Sequence, residues 1–419
     1  MVVCFFSVVL TIYLLGIIGA ILGFIHGVLV WYTYKKVPKP YMDEIFHVNQ
    51  ARRFCALDFS WNEKITTPPA LYLLSMLGFC GIERYTNSVL IPFFYVGAVR
   101  FRKLFTNEQL EQTALIVLLL PMLFHSSLLY YTDLLSITTL LWGFSCKTPT
   151  LASVFFFVAV LTRQTNIVWA GVYGVAYLVK LIDFRNIVRS LCYGLIRLWS
   201  LIGLAFIFVL FFILNGYRIA LGDHSAHEPR FHFMQVYYCF SLLCIISAPL
   251  FLQKKVLLKV FNEFITKPIR NSLYCIIILL CIHFFTFEHP YLLADNRHFT
   301  FYIWRKWFKR HWLCRYLVAP FYLLSLYMFK QSIHHINRFL LLLFLTASIV
   351  ALAPLPLFET RYYIVPFVLW RLCVKSQSQL RCFIEILYIS MINAVVLYLF
   401  YEKPFTWKSA PEKLQRFMW

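Results

Sequence analysis

Charged side chains are scarce in this sequence, and acidic ones are the scarcest. Only 14% of the 419 residues are charged, and 18 acidic residues face 39 lysines and arginines. Soluble globular domains carry about 25% charged residues. With 61% hydrophobic residues and a mean hydropathy of +0.71, the chain has more apolar surface than a soluble core of this length can bury. The composition excludes a soluble domain and predicts a membrane protein with many spans.

Several motifs for disulfides, metal ions and nucleotides are also absent. None of the twelve cysteines forms Cys-x-x-Cys and most lie in apolar runs, so we expect neither a disulfide framework nor a zinc site. The spacing of His224 and His227 lacks the Glu of a His-Glu-x-x-His motif, and no metal is expected. No Gly-x-Gly-x-x-Gly, Walker loop or Asp-x-Asp pair indicates a nucleotide or nucleotide sugar. No Asn-x-Ser/Thr sequon occurs.

The excess of positive charge lies in short stretches between apolar runs, such as residues 100–103 and 253–255. This distribution is typical of the cytoplasmic loops of a membrane protein. It differs from the basic face of a nucleic-acid-binding domain, so we expect no nucleic-acid partner.

The first apolar run, residues 2–30, contains no charged residue. It is longer than the core of a cleavable signal peptide, which predicts a retained first span. Gly19, Gly23 and Gly27 recur every fourth residue and predict close helix packing along one face. The later apolar runs predict roughly eleven to thirteen spans in all, at about 20 residues each, within a single domain of residues 1–419.

With the N-terminus in the cytosol, the first loop, about residues 35–66, lies on the far side of the membrane and residues 100–103 return to the cytosol. The spacing of Ile45, Val48 and Phe54 predicts a helix in this loop, lying in the membrane interface, with Asp43 at the water–lipid boundary. The alternative is a solvated surface loop. After the loop, Pro68 and Pro69 can begin a helix. Four of the 18 acids lie in this loop: Asp43, Glu44, Asp58 and Glu63.

Other polar residues interrupt or flank the apolar runs. Asp133 stands in apolar sequence, where an acid is costly; it indicates either a functional group or a buried structural one. Further candidates follow along the chain: His47, Arg163, Gln164, Asp223, His227, His232, Gln235, His289, Asp295, Asn296, Arg297, His298, Glu359 and Arg361.

Seven segments together resemble one enzyme family, the endoplasmic-reticulum α-1,2-glucosyltransferases that add the last glucose to the lipid-linked oligosaccharide for N-glycosylation. The long polar motif "HPYLLADNRH" is the most specific. The segments are "YMDEIFHVNQA", "ITTPPALYL", "LTRQTNIVW", "GDHSAHEPRFHFMQ", "HPYLLADNRHFTFYIWRK", "RYYIVPFVLWRL" and "RFMW", and they run from residue 41 to residue 419.

The resemblance implies an all-α polytopic membrane protein of the C-type glycosyltransferase fold, in the endoplasmic-reticulum membrane, with its active site facing the lumen. It implies dolichyl phosphate β-D-glucose as donor and Glc2Man9GlcNAc2-diphosphodolichol as acceptor. The α-1,2 linkage would form with inversion, which needs one general base and no covalent intermediate. The partners would be these two substrates and membrane lipid, and no metal or other cofactor is expected.

The resemblance also implies roles for the polar residues. It makes Asp43 the general base, with Glu44 as its neighbour or substitute. Arg297, Arg361 and Arg163, in that order, would stabilise the leaving phosphate, because guanidinium groups suit phosphate oxygens. His289 and His298 could donate hydrogen bonds at the donor site, to which Asn296 also belongs. Asp295 and Glu359 could instead hold those arginines or bind sugar hydroxyls. Contacts to the acceptor or the loop would come from His47, Gln164, Asp223, His227, His232 and Gln235.

Two other interpretations stay open on the residues alone. A dolichol-phosphate-dependent mannosyltransferase of the same architecture would share most of these features, and physical reasoning does not separate glucose from mannose. A transporter or a channel-associated membrane protein would share the composition. The clustering of polar chemistry directly after the first span favours an enzyme, because a transporter places its polar groups near mid-membrane.

Overall fold

The computed structural model describes residues 2–222, 229–375 and 378–419, with side chains from residue 13 onward. Helices dominate these ranges, which confirms the predicted all-α architecture, and one short hairpin follows the last helix. The elements are α1 (Val2–Lys36), α2 (Glu44–Cys55), α3 (Ala70–Ser75), α4 (Tyr85–Arg102), α5 (Leu110–Leu118), α6 (Pro121–Ser127), α7 (Asp133–Ser145), α8 (Pro149–Val160), α9 (Asn166–Leu181), α10 (Ile187–Arg197), α11 (Trp199–Leu214), α12 (Met234–Ile246), α13 (Ala248–Phe251), α14 (Lys254–Thr266), α15 (Pro268–Phe285), α16 (Pro290–Ala294), α17 (Phe299–Ile303), α18 (Ala319–Ser332), α19 (Arg338–Leu352), α20 (Ile364–Cys373), α21 (Gln379–Glu402), β1 (Phe405–Trp407) and β2 (Ala410–Gln415). A π-helical turn, Trp304–Phe308, follows α17, and a 3-10 turn, Thr360–Tyr363, precedes α20.

The chain forms two compact units. The first contains residues 1–104 and 126–226, and the second contains residues 105–125 and 227–419. In the first unit, α4 packs against α1 and α7, and α7 packs against α8. In the second unit, α18 packs against α12 and α15, and α21 packs against α5 and α13.

The first span is confirmed as α1, and its glycines do allow a close helix contact. A Cβ atom at Gly19 would lie 3.1 Å from the Cα atom of Pro92, and one at Gly23 would lie 3.0 Å from the carbonyl oxygen of Ser88. Both partners belong to α4, so the two backbones approach more closely than larger side chains would permit. This contact packs the middle of α1 closely against α4.

Three helices are long and apolar enough to cross a membrane, among the residues whose placement is described: Tyr13–Lys36, Pro268–Phe285 and Gln379–Glu402. Two helix pairs, α5 with α6 and α10 with α11, also qualify when each bent pair counts as one span. The eleven to thirteen spans predicted from hydropathy are therefore not present as uninterrupted helices. Short turns break the apolar runs into separate helices, and an average of hydropathy over about 20 residues does not show them. One such turn, at residues 161–165, separates α8 from α9. Three to five candidate spans still make the chain a multi-pass membrane protein.

The expectation that the cysteines form no disulfide is wrong for one pair. Cys55, the last residue of α2, is joined to Cys80, which follows α3. The two residues are 25 positions apart, so neither a short motif nor a local spacing predicts the disulfide. The disulfide ties the C-terminal end of α2 to the segment that leads into α4.

A two-stranded antiparallel hairpin, β1 and β2, closes the described part of the second unit. Phe405 pairs with Gln415 and Thr406 with Leu414. Directly after β2, the buried Arg416 donates to the carbonyl oxygens of Phe400 and Tyr401 at 2.7 and 3.1 Å. These are carbonyls of the last turn of α21, where a cation is favoured by the helix dipole. Neither hydropathy nor the sequence motifs predicted this hairpin.

Candidate active site

The helix predicted in the first loop is confirmed as α2, but the face that it buries is not simply apolar. Val48 and Phe54 are buried as predicted, whereas Ile45 is 46% exposed. Glu44 and His47 are buried on the inner side instead. A hydropathy pattern cannot predict this arrangement, because it assigns charged side chains to solvent.

Glu44 is fully buried and held by four hydrogen bonds. Its two carboxylate oxygens accept from Nε and Nη2 of Arg84 at 2.6 and 2.7 Å. They also accept from the backbone N–H groups of Tyr41 and Tyr130 at 3.0 and 2.9 Å. A carboxylate with this set of donors is an anchor between segments. These contacts describe a structural anchor, and the predicted share of Glu44 in the function of the base stays a prediction.

Asp43 stands at the N-terminal end of α2 and is half-buried. Its side chain makes no capping hydrogen bond, while its carbonyl oxygen accepts from the N–H groups of Phe46 and His47 at 3.0 and 3.2 Å. Met42, directly before it, has a φ of 59°, a left-handed conformation that is rare outside glycine. Backbone strain of this kind concentrates at functional sites. The turn places Asp43 directly before the anchored Glu44 in the chain.

His47 contacts aromatic residues within the first unit. Its Nδ1 lies 2.6 Å from the hydroxyl oxygen of Tyr72, and its ring packs edge-on against Tyr131 with centroids 5.9 Å apart. These contacts link α2 to α3 and to the chain before α7. The predicted contact of His47 with substrate stays a prediction.

Residues 130–133 connect α2 to Arg163. Tyr130 donates to Glu44, as described above, and Thr132 accepts from Nε of Arg163 at 3.0 Å. Asp133 lies 2.8 Å from Nη2 of the same arginine. Asp133 is thus a buried, ion-paired acid, in line with the structural alternative for it. The charge of Arg163 is balanced by this neighbour.

Gln164 connects the turn before α9 to the segment around Thr66 in the first unit. Its side-chain amide donates to the carbonyl oxygen of Thr66 at 2.7 Å, and the N–H group of Leu221 donates to the same oxygen at 3.1 Å. Gly222 has a φ of +60°, and a Cβ atom there would lie 2.0 Å from the carbonyl oxygen of Glu63, so only glycine fits. Two predicted site residues that follow, Asp223 and His227, lie outside the described residues.

In the second unit, Arg297 is held in a fixed orientation. Its Nε and Nη2 atoms donate to the two carboxylate oxygens of Asp295 at 2.8 and 2.6 Å. Its Nη1 donates to Gln415 at 3.2 Å, and its guanidinium carbon lies 4.9 Å from the ring centroid of Trp407. Burial alone raises the pKa of the Asp295 carboxyl, but the hydrogen bonds and charge of Arg297 outweigh burial and lower that pKa.

The C-terminal residues pack on the "ADNRH" motif. Trp407 donates from its indole nitrogen to the side-chain oxygen of Asn296 at 2.7 Å. The backbone N–H of Met418 donates to the carbonyl oxygen of Arg297 at 2.9 Å, and Nδ1 of His298 lies 3.1 Å from the carbonyl oxygen of Trp419. Segment "RFMW" is thus a structural part of the same cluster, which its sequence match alone could not reveal.

His289 begins the short helix α16, where its Nδ1 accepts from the N–H of Tyr291 at 3.2 Å. Its neighbour Glu288 accepts from the indole nitrogen of Trp304 at 2.6 Å and lies 2.8 Å from Nζ of Lys309. His289 is half-buried in this polar turn. Its predicted donation to substrate is not tested by these contacts.

Arg361 forms an ion pair with Glu359 in the turn before α20. Gln235 supports this turn: its side-chain amide donates to the carbonyl oxygens of Leu355 and Leu357 at 3.0 and 2.8 Å, and its oxygen accepts from the hydroxyl of Tyr363.

His232 and Gln235 are both fully buried, and the N–H of His232 donates to the carbonyl oxygen of Ala353 at 2.7 Å. Gln235 supports the turn that contains Arg361, and the predicted contact of His232 and Gln235 with the acceptor stays a prediction.

The sequence interpretation missed Arg84 and Glu83. Both are buried and ion-paired with α2, Arg84 through Glu44 and Glu83 through Arg52. A signal existed: two adjacent opposite charges stand just before the long apolar helix α4. Charges in a loop are usually solvated, so the sequence alone does not mark this pair as buried.

Within residues 2–222, 229–375 and 378–419, no group of three or more His, Cys, Asp or Glu side chains could hold a metal ion. The predicted independence of metal stays a prediction.

Comparison with known proteins gives consistent matches over almost the whole chain. The chain is 30% identical to a human protein and 29% identical to a mouse protein, in each case over 91% of this chain and 93% of the relative. A relative from Candida albicans is 29% identical over 88% of this chain and 91% of its own length. All three are named Dol-P-Glc:Glc(2)Man(9)GlcNAc(2)-PP-Dol alpha-1,2-glucosyltransferase. No solved structure matches the chain significantly.

The profile described as the DIE2/ALG10 family matches residues 37–190 and 175–372. These ranges include Asp43, the Asp133–Arg163 pair and the Asp295–Arg297 pair. The chain is a member of the DIE2/ALG10 family.

Proposed function

We propose that the chain transfers glucose from dolichyl phosphate glucose to Glc2Man9GlcNAc2-diphosphodolichol and forms an α-1,2 linkage, the last step of lipid-linked oligosaccharide assembly. The observation that carries the proposal is the similarity of nearly the full chain to proteins of this name from mammals and yeast. Family membership supports it, because the matched residues include Asp43 and all three candidate arginines.

With a β-linked donor, the α product requires inversion in one displacement. The acceptor hydroxyl oxygen attacks C1 of glucose, and the bond from C1 to the phosphate oxygen breaks. The electron pair of that bond leaves with dolichyl phosphate, and the hydroxyl proton passes to a carboxylate. The hydroxyl pKa lies far above neutrality, so a base must take the proton as the new bond forms.

Asp43 is the proposed base. Its half-buried carboxyl at the start of α2 and the left-handed backbone of Met42 support this role, and Glu44 is occupied by Arg84. A general base of this kind contributes about 10²- to 10⁴-fold to the rate.

Arg297, then Arg361, then Arg163, are the proposed partners of the donor phosphate. Each lies beside a carboxylate of its own unit, which fixes the direction of the guanidinium group. A cation that is already oriented stabilises the leaving phosphate without reorganising during the reaction. No metal ion is needed for this step.

We propose a location in the endoplasmic-reticulum membrane, with the first loop in the lumen. The disulfide between Cys55 and Cys80 supports that side, because disulfides persist in oxidising compartments and are rare in the cytosol.

The test is a transfer assay with purified protein, dolichyl phosphate glucose and the diglucosylated lipid acceptor. We expect one further glucose on the oligosaccharide, in α-1,2 linkage, and undiminished transfer in the presence of a chelator. Folded protein that transfers no glucose would overturn the proposal, and transfer from dolichyl phosphate mannose instead would favour a mannosyltransferase. Strong inhibition by the chelator would return a metal to the mechanism.

A further inference from the structure

Five consecutive residues hold both ends of helix α2. They are residues 80–84, "CGIER", which connect α3 to α4, and we call them the bracket. Three of the five side chains are tied to α2, one covalently and two by ion pairs. The mechanism above uses none of them.

The tie at the N-terminal end of α2 is the pair of Arg84 and Glu44. Both side chains are buried, and Arg84 engages both carboxylate oxygens. Nη1 of Arg84 also donates to the carbonyl oxygen of Val37 at 2.7 Å, just beyond the end of α1. One guanidinium group therefore fixes the start of α2 relative to the first span.

Two ties hold the C-terminal end of α2. Glu83 is buried and accepts from Nε of Arg52 at 2.9 Å, and Cys80 is bonded to Cys55. The charges match the helix, because an acid lies near its N-terminus and arginines near its C-terminus. A helix tied at both ends to one short segment cannot rotate or slide without breaking these bonds.

We propose that the bracket is a positioning device for Asp43, with Arg84 as its main positioning residue; this rests on the proposed role of Asp43 as base. Asp43 directly precedes Glu44, so its Cα lies about 3.8 Å from that of the anchored residue. A displacement of Glu44 is therefore passed on to the Asp43 carboxylate. A reacting group misplaced by about 1 Å can lose on the order of 100-fold in rate.

The test compares Arg84→Met and Arg84→Lys in the glucose-transfer assay with a matched control, Arg371→Met. Arg371 is also buried and donates to both carboxylate oxygens of Glu385, at 2.9 and 2.6 Å, and both residues belong to the second unit, whereas α2 belongs to the first. Both Met variants thus lose a buried, doubly bonded ion pair. We expect Arg84→Met to lower kcat by about 10- to 100-fold, with KM for both substrates within about threefold.

Arg84→Lys should recover part of kcat because it keeps the charge, and Arg371→Met should keep kcat within about threefold of wild type. Equal losses of kcat in the two Met variants, or a rise in KM alone, would overturn the bracket. If Arg84→Met does not accumulate as folded protein, the double variant Cys55→Ser with Cys80→Ser tests the bracket instead. A lower kcat at constant KM supports the bracket there, and an unchanged kcat overturns it.

These outcomes are separable from a failure of the proposed function. Wild-type protein that transfers no glucose overturns the function, and the bracket with it. Wild-type transfer without a specific effect of Arg84→Met overturns the bracket alone.

Discussion

At the residue scale, the candidate arginines share one arrangement: Arg163, Arg297 and Arg361 each have a carboxylate neighbour in their own unit. The pairing compensates a charge that would be costly in an apolar protein, and it also directs the guanidinium group. An arriving phosphate has to share the arginine with that carboxylate. In the proposed mechanism these arginines therefore contribute orientation more than net charge.

Arg297→Met should raise the donor KM about tenfold or more, because a hydrogen bond to a charged group contributes about 1.5–3 kcal/mol. The measurement is initial-rate kinetics with varied dolichyl phosphate glucose. Arg310→Met, at an exposed position of the same region, is the control and should behave as wild type. Because the Met variant leaves Asp295 uncompensated, the double variant with Asp295→Asn should keep the raised KM; recovery of a normal KM would contradict a phosphate role.

The Asp295–Arg297 pair should be insensitive to pH near neutrality. The pKa of Asp295 is lowered from 3.8 in the folded protein, so the pair stabilises the fold above that value and the contribution is lost only as the pH falls through the lower folded pKa. The difference in melting temperature between wild type and Asp295→Asn should stay constant from about pH 5 to pH 8 and shrink below about pH 4. A difference that vanishes near pH 6 would contradict the assignment.

The sequence predicted which residue types matter but not which partners they take. Asp43 and Arg297 stood out because acids and polar clusters are rare in this chain. The hydrogen-bond partners of Glu44, His232 and Gln235 could not be predicted, since these partners lie far along the chain, as Arg84 and Leu355 do.

At the scale of elements, α2 and its N-cap carry Asp43 and Glu44 in the first unit, and the C-terminal hairpin packs on the residues around Arg297 in the second. The local pattern predicted α2, because helix period and interface composition are carried by neighbouring residues. The hairpin and the disulfide were missed, because both depend on pairing between distant segments. The side of the membrane on which α2 lies can be tested with this loop itself.

Asp58→Asn would turn the exposed stretch "DFS" at residues 58–60 into a glycosylation sequon in the first loop. Luminal exposure predicts one added N-glycan, seen as a mobility shift that an endoglycosidase removes. Gln109→Ser makes a matching sequon with Asn107, in the loop expected to face the cytosol, and should stay unmodified. Modification of the second variant and not the first would reverse the proposed orientation.

Arg416→Ala should loosen the segment that packs on the "ADNRH" motif. Loss of two hydrogen bonds from a buried guanidinium to the carbonyls of Phe400 and Tyr401 should lower the free energy of unfolding by about 1.5–3 kcal/mol. The donor KM should rise as well, because residues 418–419 support Arg297 and His298. Lys413→Ala, exposed on β2, is the control in melting and kinetic measurements, and equal effects of the two variants would contradict the account.

At the scale of the whole molecule, composition was enough to predict a multi-pass helical membrane protein, and the quoted motifs were enough to indicate the family. The number of spans was not predictable, because hydropathy finds apolar runs without locating the breaks within them, as between α8 and α9. The assignment of glucose rests on relatedness to enzymes of that name, since polar clusters of this kind would serve any dolichyl-phosphate sugar.

The most direct test of the central claim is the rate of glucose transfer by Asp43→Asn, measured beside Asp58→Ala, which removes an exposed acid from the same loop. We expect Asp43→Asn to lose at least about 100-fold in kcat while it still binds dolichyl phosphate glucose, and Asp58→Ala to keep near-normal transfer. Near-normal turnover by Asp43→Asn would show that the base is another residue.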